Sequence, residues 1–75
     1  MITKREKEML FDAEKNIFKL RKNIREKGRE LTRGEFASLT SGFLNGLAFA
    51  LYIFDIEVSE GFEEEMIALM DRIID

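Results

Sequence analysis

The sequence predicts an all-α protein, with three helices at about residues 3–27, 33–55 and 60–74 forming a small bundle. Three observations predict it. Apolar residues recur at 3-4 spacing in both flanking segments, a capping tetrapeptide opens the middle one, and the 75 residues include no proline. There is no internal repeat or low-complexity tract, so residues 1–75 read as a single helical domain.

In the first segment, Leu10, Ala13, Ile17, Leu20 and Ile24 form an apolar helical stripe, which Phe11 and Phe18 widen. Gly28 stands where a residue of positive φ would close that helix. The second segment opens with Thr32-Arg-Gly-Glu35, whose hydroxyl and carboxylate can each satisfy an otherwise orphaned amide of the first turn. Leu31 and Phe36 flank it as a hydrophobic staple. For the third segment, Ser59 is the expected N-cap. Glu60, Glu63, Glu64 and Glu65 sit at the positive end of the helix dipole, and Phe62, Met66, Leu69, Met70 and Ile73 make the apolar face.

Residues 36–54, "FASLTSGFLNGLAFALYIF", contain no charge in a chain that is 36% charged. Nineteen helical residues extend ~28 Å, close to the thickness of a bilayer's hydrocarbon. Basic residues precede the stretch and acids follow it, and Gly42-x-x-x-Gly46 is a spacing used by membrane helix dimers. Against a membrane span stand Asn45 at the midpoint and Ser38, Thr40 and Ser41 in the first half. The flanking helices also need a partner for their apolar faces, and an acidic third helix suits an anionic lipid surface poorly. A shared core helix meets both needs and is the expectation; a single membrane span is the alternative.

On a helical wheel, Phe36, Leu39, Phe43, Leu44, Leu47, Leu51 and Phe54 gather on one broad side. Opposite them runs a seam of Gly34, Ser38, Ser41, Asn45, Ala48 and Tyr52, and Gly42, Gly46 and Ala50 form a row of small residues between. Small residues let another helix approach closely. The candidate interface is therefore Ser38, Ser41, Gly42, Asn45 and Tyr52.

Charge is polarised along the chain. Residues 1–35 carry eleven Lys/Arg against seven Asp/Glu, whereas residues 55–75 carry one Arg against eight acids. Lys15, Lys19, Arg21, Lys22, Arg25 and Arg29 are the candidate basic face. It suits an acidic patch on a protein partner. A phosphate backbone is a second candidate, although the run contains Phe18 as its only aromatic and so lacks the stacking platform of single-strand binders. "LTRGEFASLTSG" begins like the first helix of a helix-turn-helix. Its Gly falls one residue late, however, and an apolar stretch follows in place of a polar recognition helix.

Cysteine and histidine are both absent. That removes disulfides, thiol nucleophiles, the commonest general base and the commonest transition-metal ligand. Glu63, Glu64 and Glu65 point ~100° apart on a helix and cannot converge on one ion. Met66 and Met70 read as core fillers. No phosphate-binding loop, catalytic triad or metal-ligand spacing occurs, so neither enzymatic activity nor a cofactor is expected.

A 75-residue chain buries only ~60% of the surface its unfolded form exposes, and this one carries seven Phe without a disulfide to help it. Oligomerisation is the expected supplement. The composition and the charged opening "MITKREKEML" fit a cytoplasmic protein. The functional expectation is a self-associating protein that binds another macromolecule, of the inhibitor, antitoxin or assembly-factor kind that phages and mobile elements encode.

Overall fold

The computed structural model describes all 75 residues. Three helices follow one another: α1 (Lys4–Glu26), α2 (Arg33–Ile53) and α3 (Phe62–Ile74). Each boundary has a local cause. Thr32 accepts the Glu35 amide at 3.1 Å, and Glu35 Oε1 accepts the Thr32 amide at 3.0 Å, which completes the expected capping box. α1 starts the same way on Thr3-Lys-Arg-Glu6, a second Thr-x-x-Glu that the sequence displays equally openly. At its other end Gly28 has φ +92°. The Arg29 amide reaches back to the Ile24 carbonyl and that of Gly28 to Arg25, a Schellman closure.

α2 closes with the same hydrogen-bond pattern. The Ile56 amide bonds the Leu51 carbonyl and that of Asp55 bonds Tyr52, but here the left-handed position is held by Asp55 at φ 55°. The last helix corrects the expected start. Its cap is Gly61 at φ +94°, without a side-chain cap bond, and Phe62 is the first helical residue. Ser59 is not the N-cap because Gly61, at positive φ, breaks the helical path after it, and the first helical bond runs from the Glu65 amide to the Gly61 carbonyl. The Ser59 amide donates to Glu6 Oε2 at 2.7 Å, and its carbonyl takes the Phe62 amide in a turn.

Those contacts orient the bundle. Ser59, just before α3, meets Glu6 near the start of α1, and Arg72 near the end of α3 donates to Glu14 in mid-α1 at 3.0 Å. Thus α1 and α3 run in the same direction, and α2 returns between them in the opposite one. The core takes Leu10, Ala13 and Ile17 from α1, Phe36, Leu44 and Leu51 from α2, and Phe62, Met66, Leu69 and Ile73 from α3. Ile2, Leu31, Leu39, Phe43, Leu47 and Met70 pack around it. Thr40 lies fully buried among them, its hydroxyl donating to the Phe36 carbonyl one turn back at 2.9 Å.

Helix lengths decide where this core stops. α1 has 23 residues and α3 only 13, or ~35 Å against ~20 Å. Because Arg72 is already level with Glu14, the last turns of α1 pass beyond α3 and have only α2 to cover them. Leu20 is consequently 37% exposed and Ile24 half-buried, although the stripe placed both inward. Phe18 is partly rescued by tilting against Phe36, with ring centroids 5.8 Å apart. At the other end Phe54, expected on the apolar side of α2, caps the helix and is 74% exposed.

A two-faced second helix as candidate interaction surface

Phe36, Thr40, Leu44 and Leu51 fix the inward side of α2. At 100° per residue, the direction opposite them falls on Ser38, Gly42, Asn45 and Phe49, flanked by Gly46, Tyr52 and Ile53. All seven are exposed. Of the five seam residues expected from sequence, Ser38, Gly42, Asn45 and Tyr52 lie on this open side, with Ser41 half-buried at its edge. The Asn45 side-chain nitrogen donates to Ser41 Oγ at 3.3 Å, and its side-chain oxygen accepts no hydrogen bond.

Of the apolar half of this surface, sequence reading named Tyr52 and missed the rest. Phe49 is 62% exposed, Tyr52 81% and Ile53 55%, and Ile56 and Val58 in the following connection are open too. A signal for Phe49 was present: it stands four residues after Asn45 and seven after Gly42. Beside this strip a shallow apolar groove runs between α2 and α3, lined by Ala48, Tyr52, Ile56, Val58, Phe62 and Met66.

The basic face comes together less fully. Lys22 approaches Glu26 at 4.0 Å, Arg25 pairs with Glu30 at 3.2 Å, and Arg29 hydrogen-bonds Glu35 Oε2. Arg21 is turned inward. Its guanidinium lies 4.4 Å over the Phe36 ring, its Nε is buried without a hydrogen-bond partner, and its role is to roof the core. Lys15, resting 5.4 Å over Phe11, and Lys19 likewise have no carboxylate within bonding distance. They share a wide depression with Asp12 and Asn16. Three of the six cations of this face are thus paired with carboxylates of the chain itself.

Two glutamates carry the clearest electrostatic signatures, and both are structural. The Thr3 amide at 2.7 Å, and after it the Ser59 amide, hold the Glu6 carboxyl down at about 2 from an ordinary 4.5. Glu35 is lowered too, chiefly by the Thr32 amide; burial opposes the shift, and the Arg29 charge adds a lesser lowering. In each case one oxygen completes a capping box and the other ties a more distant segment. No group of His, Cys, Asp or Glu is placed to hold a metal ion.

By length and composition α2 could also cross a membrane, and only 17% of its most apolar 18-residue window is buried by α1 and α3. The shared-core arrangement is present, but it covers one side of the helix. No protein-family model, curated protein or solved structure matches the chain, so the surface itself has to carry the reading of function.

Proposed function

We propose that this is a small, non-enzymatic, cytoplasmic interaction protein that self-associates and binds another macromolecule, in the manner of an inhibitor, antitoxin or assembly factor. The observation that supports this reading is the outward face of α2. Phe49, Tyr52 and Ile53 stand in solvent in line with Ser38, Gly42 and Asn45, while only 12 of 75 residues are buried. Contiguous apolar surface on so small a protein marks a contact site. Lys15 and Lys19, on the far side of α1, are placed to steer an acidic protein partner without belonging to that contact.

Replacing Ser41 and Asn45 together by Leu tests the reading. Both positions lie outside the core, so helicity and thermal unfolding of the chain should persist, while oligomeric state and partner binding change. Retention of both properties in the double variant overturns the assignment.

A second reading, a single-span membrane protein, is favoured by the length and apolar character of α2 and the small share of it that is buried. The two readings part in a detergent-free extract. An interaction protein is recovered in the supernatant and does not float with added lipid vesicles. A spanning protein is recovered only from the membrane fraction after detergent extraction.

A further inference from the structure

Gly42 and Gly46 have no explanation within the chain. A methyl group built at either meets nothing within 4 Å, and neither has the positive φ that would require glycine. Each nevertheless weakens the helix relative to alanine. Glycine inside a helix permits a close approach from outside, and what approaches can be argued from the same face.

We propose that the outward face of α2 docks on the same face of a second copy in antiparallel orientation, about a two-fold axis passing between Asn45 and Gly46. This inference rests on the self-association reading and adds its geometry. Size complementarity gives the register. Antiparallel pairing about that axis sets Ser38 against Ile53, Gly42 against Phe49 and Asn45 against Gly46 of the other copy. Every pair then joins a small residue to a larger one, and the two exposed Phe49 rings each enter the space left by a glycine. Parallel pairing would set glycine against glycine and Phe49 against Phe49. It would leave voids at one end and a steric clash at the other.

Charge selects the same orientation. The α1–α2 connection and first turn, residues 27–35, carry Lys27, Arg29 and Arg33 against Glu30 and Glu35, a small basic excess. The α2–α3 connection, residues 54–61, carries Asp55, Glu57 and Glu60 and no cation. These segments lie at opposite ends of α2. Antiparallel copies bring the basic end of one to the acidic end of the other twice over, whereas parallel copies place like charges together. Asn45, whose side-chain oxygen accepts no hydrogen bond, comes to lie beside the axis, where a polar pair fixes register.

The absence of cysteine makes the test clean. Three single-cysteine variants, Ser38→Cys, Asn45→Cys and Ile53→Cys, all at exposed positions, are oxidised separately and in mixtures in detergent-free buffer. In the antiparallel dimer Asn45→Cys cross-links to itself. Ser38→Cys does not, since its two copies lie ~20 Å apart along the axis, and it cross-links with Ile53→Cys in a mixture. Efficient self-cross-linking of Ser38→Cys overturns the orientation while leaving self-association standing. Gly42→Leu provides the complement. With open space at that site the variant should keep its fold and melt no lower than wild type when dilute, yet lose at least tenfold in dimer affinity as Phe49 of the copy is blocked. Wild-type dimers that tolerate Gly42→Leu overturn the interface. A wild-type chain that is monomeric at all concentrations, or that associates only with phosphatidylcholine–phosphatidylglycerol vesicles, overturns the self-association reading itself.

Discussion

Leu44→Ala is the substitution that weighs most directly on the placement of α2. Leu44 is 1% exposed, near the middle of the helix, and packs in one cluster with residues of α1 and α3. Truncation removes three carbons, worth ~2.4 kcal/mol at about 0.8 per buried methylene. Two flanking helices cannot close fully around the gap, so a cavity contribution brings the loss to about 3–4 kcal/mol. A chain of this length has a total stability of roughly 4–11 kcal/mol, and each kcal/mol moves its melting temperature by ~4–8 °C. Leu44→Ala should therefore melt at least ~12 °C lower by circular dichroism, with the urea midpoint falling in step and the denaturant slope unchanged. Phe49→Ala, on the opposite side of the same helix, is the internal control. Measured dilute, it should cost well under 1 kcal/mol. A loss below ~1 kcal/mol for Leu44→Ala, or equal losses for the two, would refute the two-faced account, because a helix surrounded by lipid has no such distinction between its sides.

Glu6 predicts an acid-sensitive joint. Its carboxyl is lowered from 4.5 to about 2 by amide hydrogen bonds that form only in the folded chain, so its contribution is complete above pH 4.5 and is lost as pH falls toward 2. Urea titrations should show the wild-type midpoint dropping across that window. Glu6→Gln, which loses one of the two acceptor oxygens, should start lower at neutral pH and converge with wild type in acid; parallel profiles would contradict the clamp. Asp55→Gly should stabilise by roughly 0.5–1 kcal/mol, since glycine occupies the left-handed region without steric cost; a lower melting temperature would mean the Asp55 side chain contributes more than its strain removes. Thr40→Val should fall within about 0.5 kcal/mol of wild type, because the Phe36 carbonyl keeps its helical amide and loses only an extra donor. Thr40→Ser, which empties the methyl site, should be the more harmful change by chemical denaturation.

Much of the fold was legible because its determinants are local. The Thr32–Glu35 box, the Gly28 closure and the 3-4 spacing in α3 each depend on residues within a turn or two, and all three are present as read. What sequence reading missed depends on distant partners. Ser59 has the chemistry of an N-cap, but it is tied to Glu6, 53 residues away, and α3 starts after the left-handed Gly61 instead. Leu20 fits the α1 stripe yet emerges into solvent because α3 is too short to reach it, a length relation that no periodicity encodes. The candidate surface divides in the same way. The small and polar seam of α2 could be read from its spacing. That Arg21 lies over Phe36 instead of joining the basic face could not, because the contact joins two helices. Phe49 escaped notice for the opposite reason: in an uncharged stretch a large apolar residue looks like core, and only the direction of Leu44 and Leu51 reveals that it faces away.

The central claim is that α2 spends one face on its own core and offers the other to a copy of itself in water. Sedimentation equilibrium on wild-type protein prepared without detergent, over a wide dilution series, tests it most directly. The account predicts a reversible shift from 8.8 kDa at the dilute end to twice that mass at the concentrated end, with Gly42→Leu held at the lower mass. A single 8.8 kDa species throughout, or protein that stays in solution only with detergent, would contradict it.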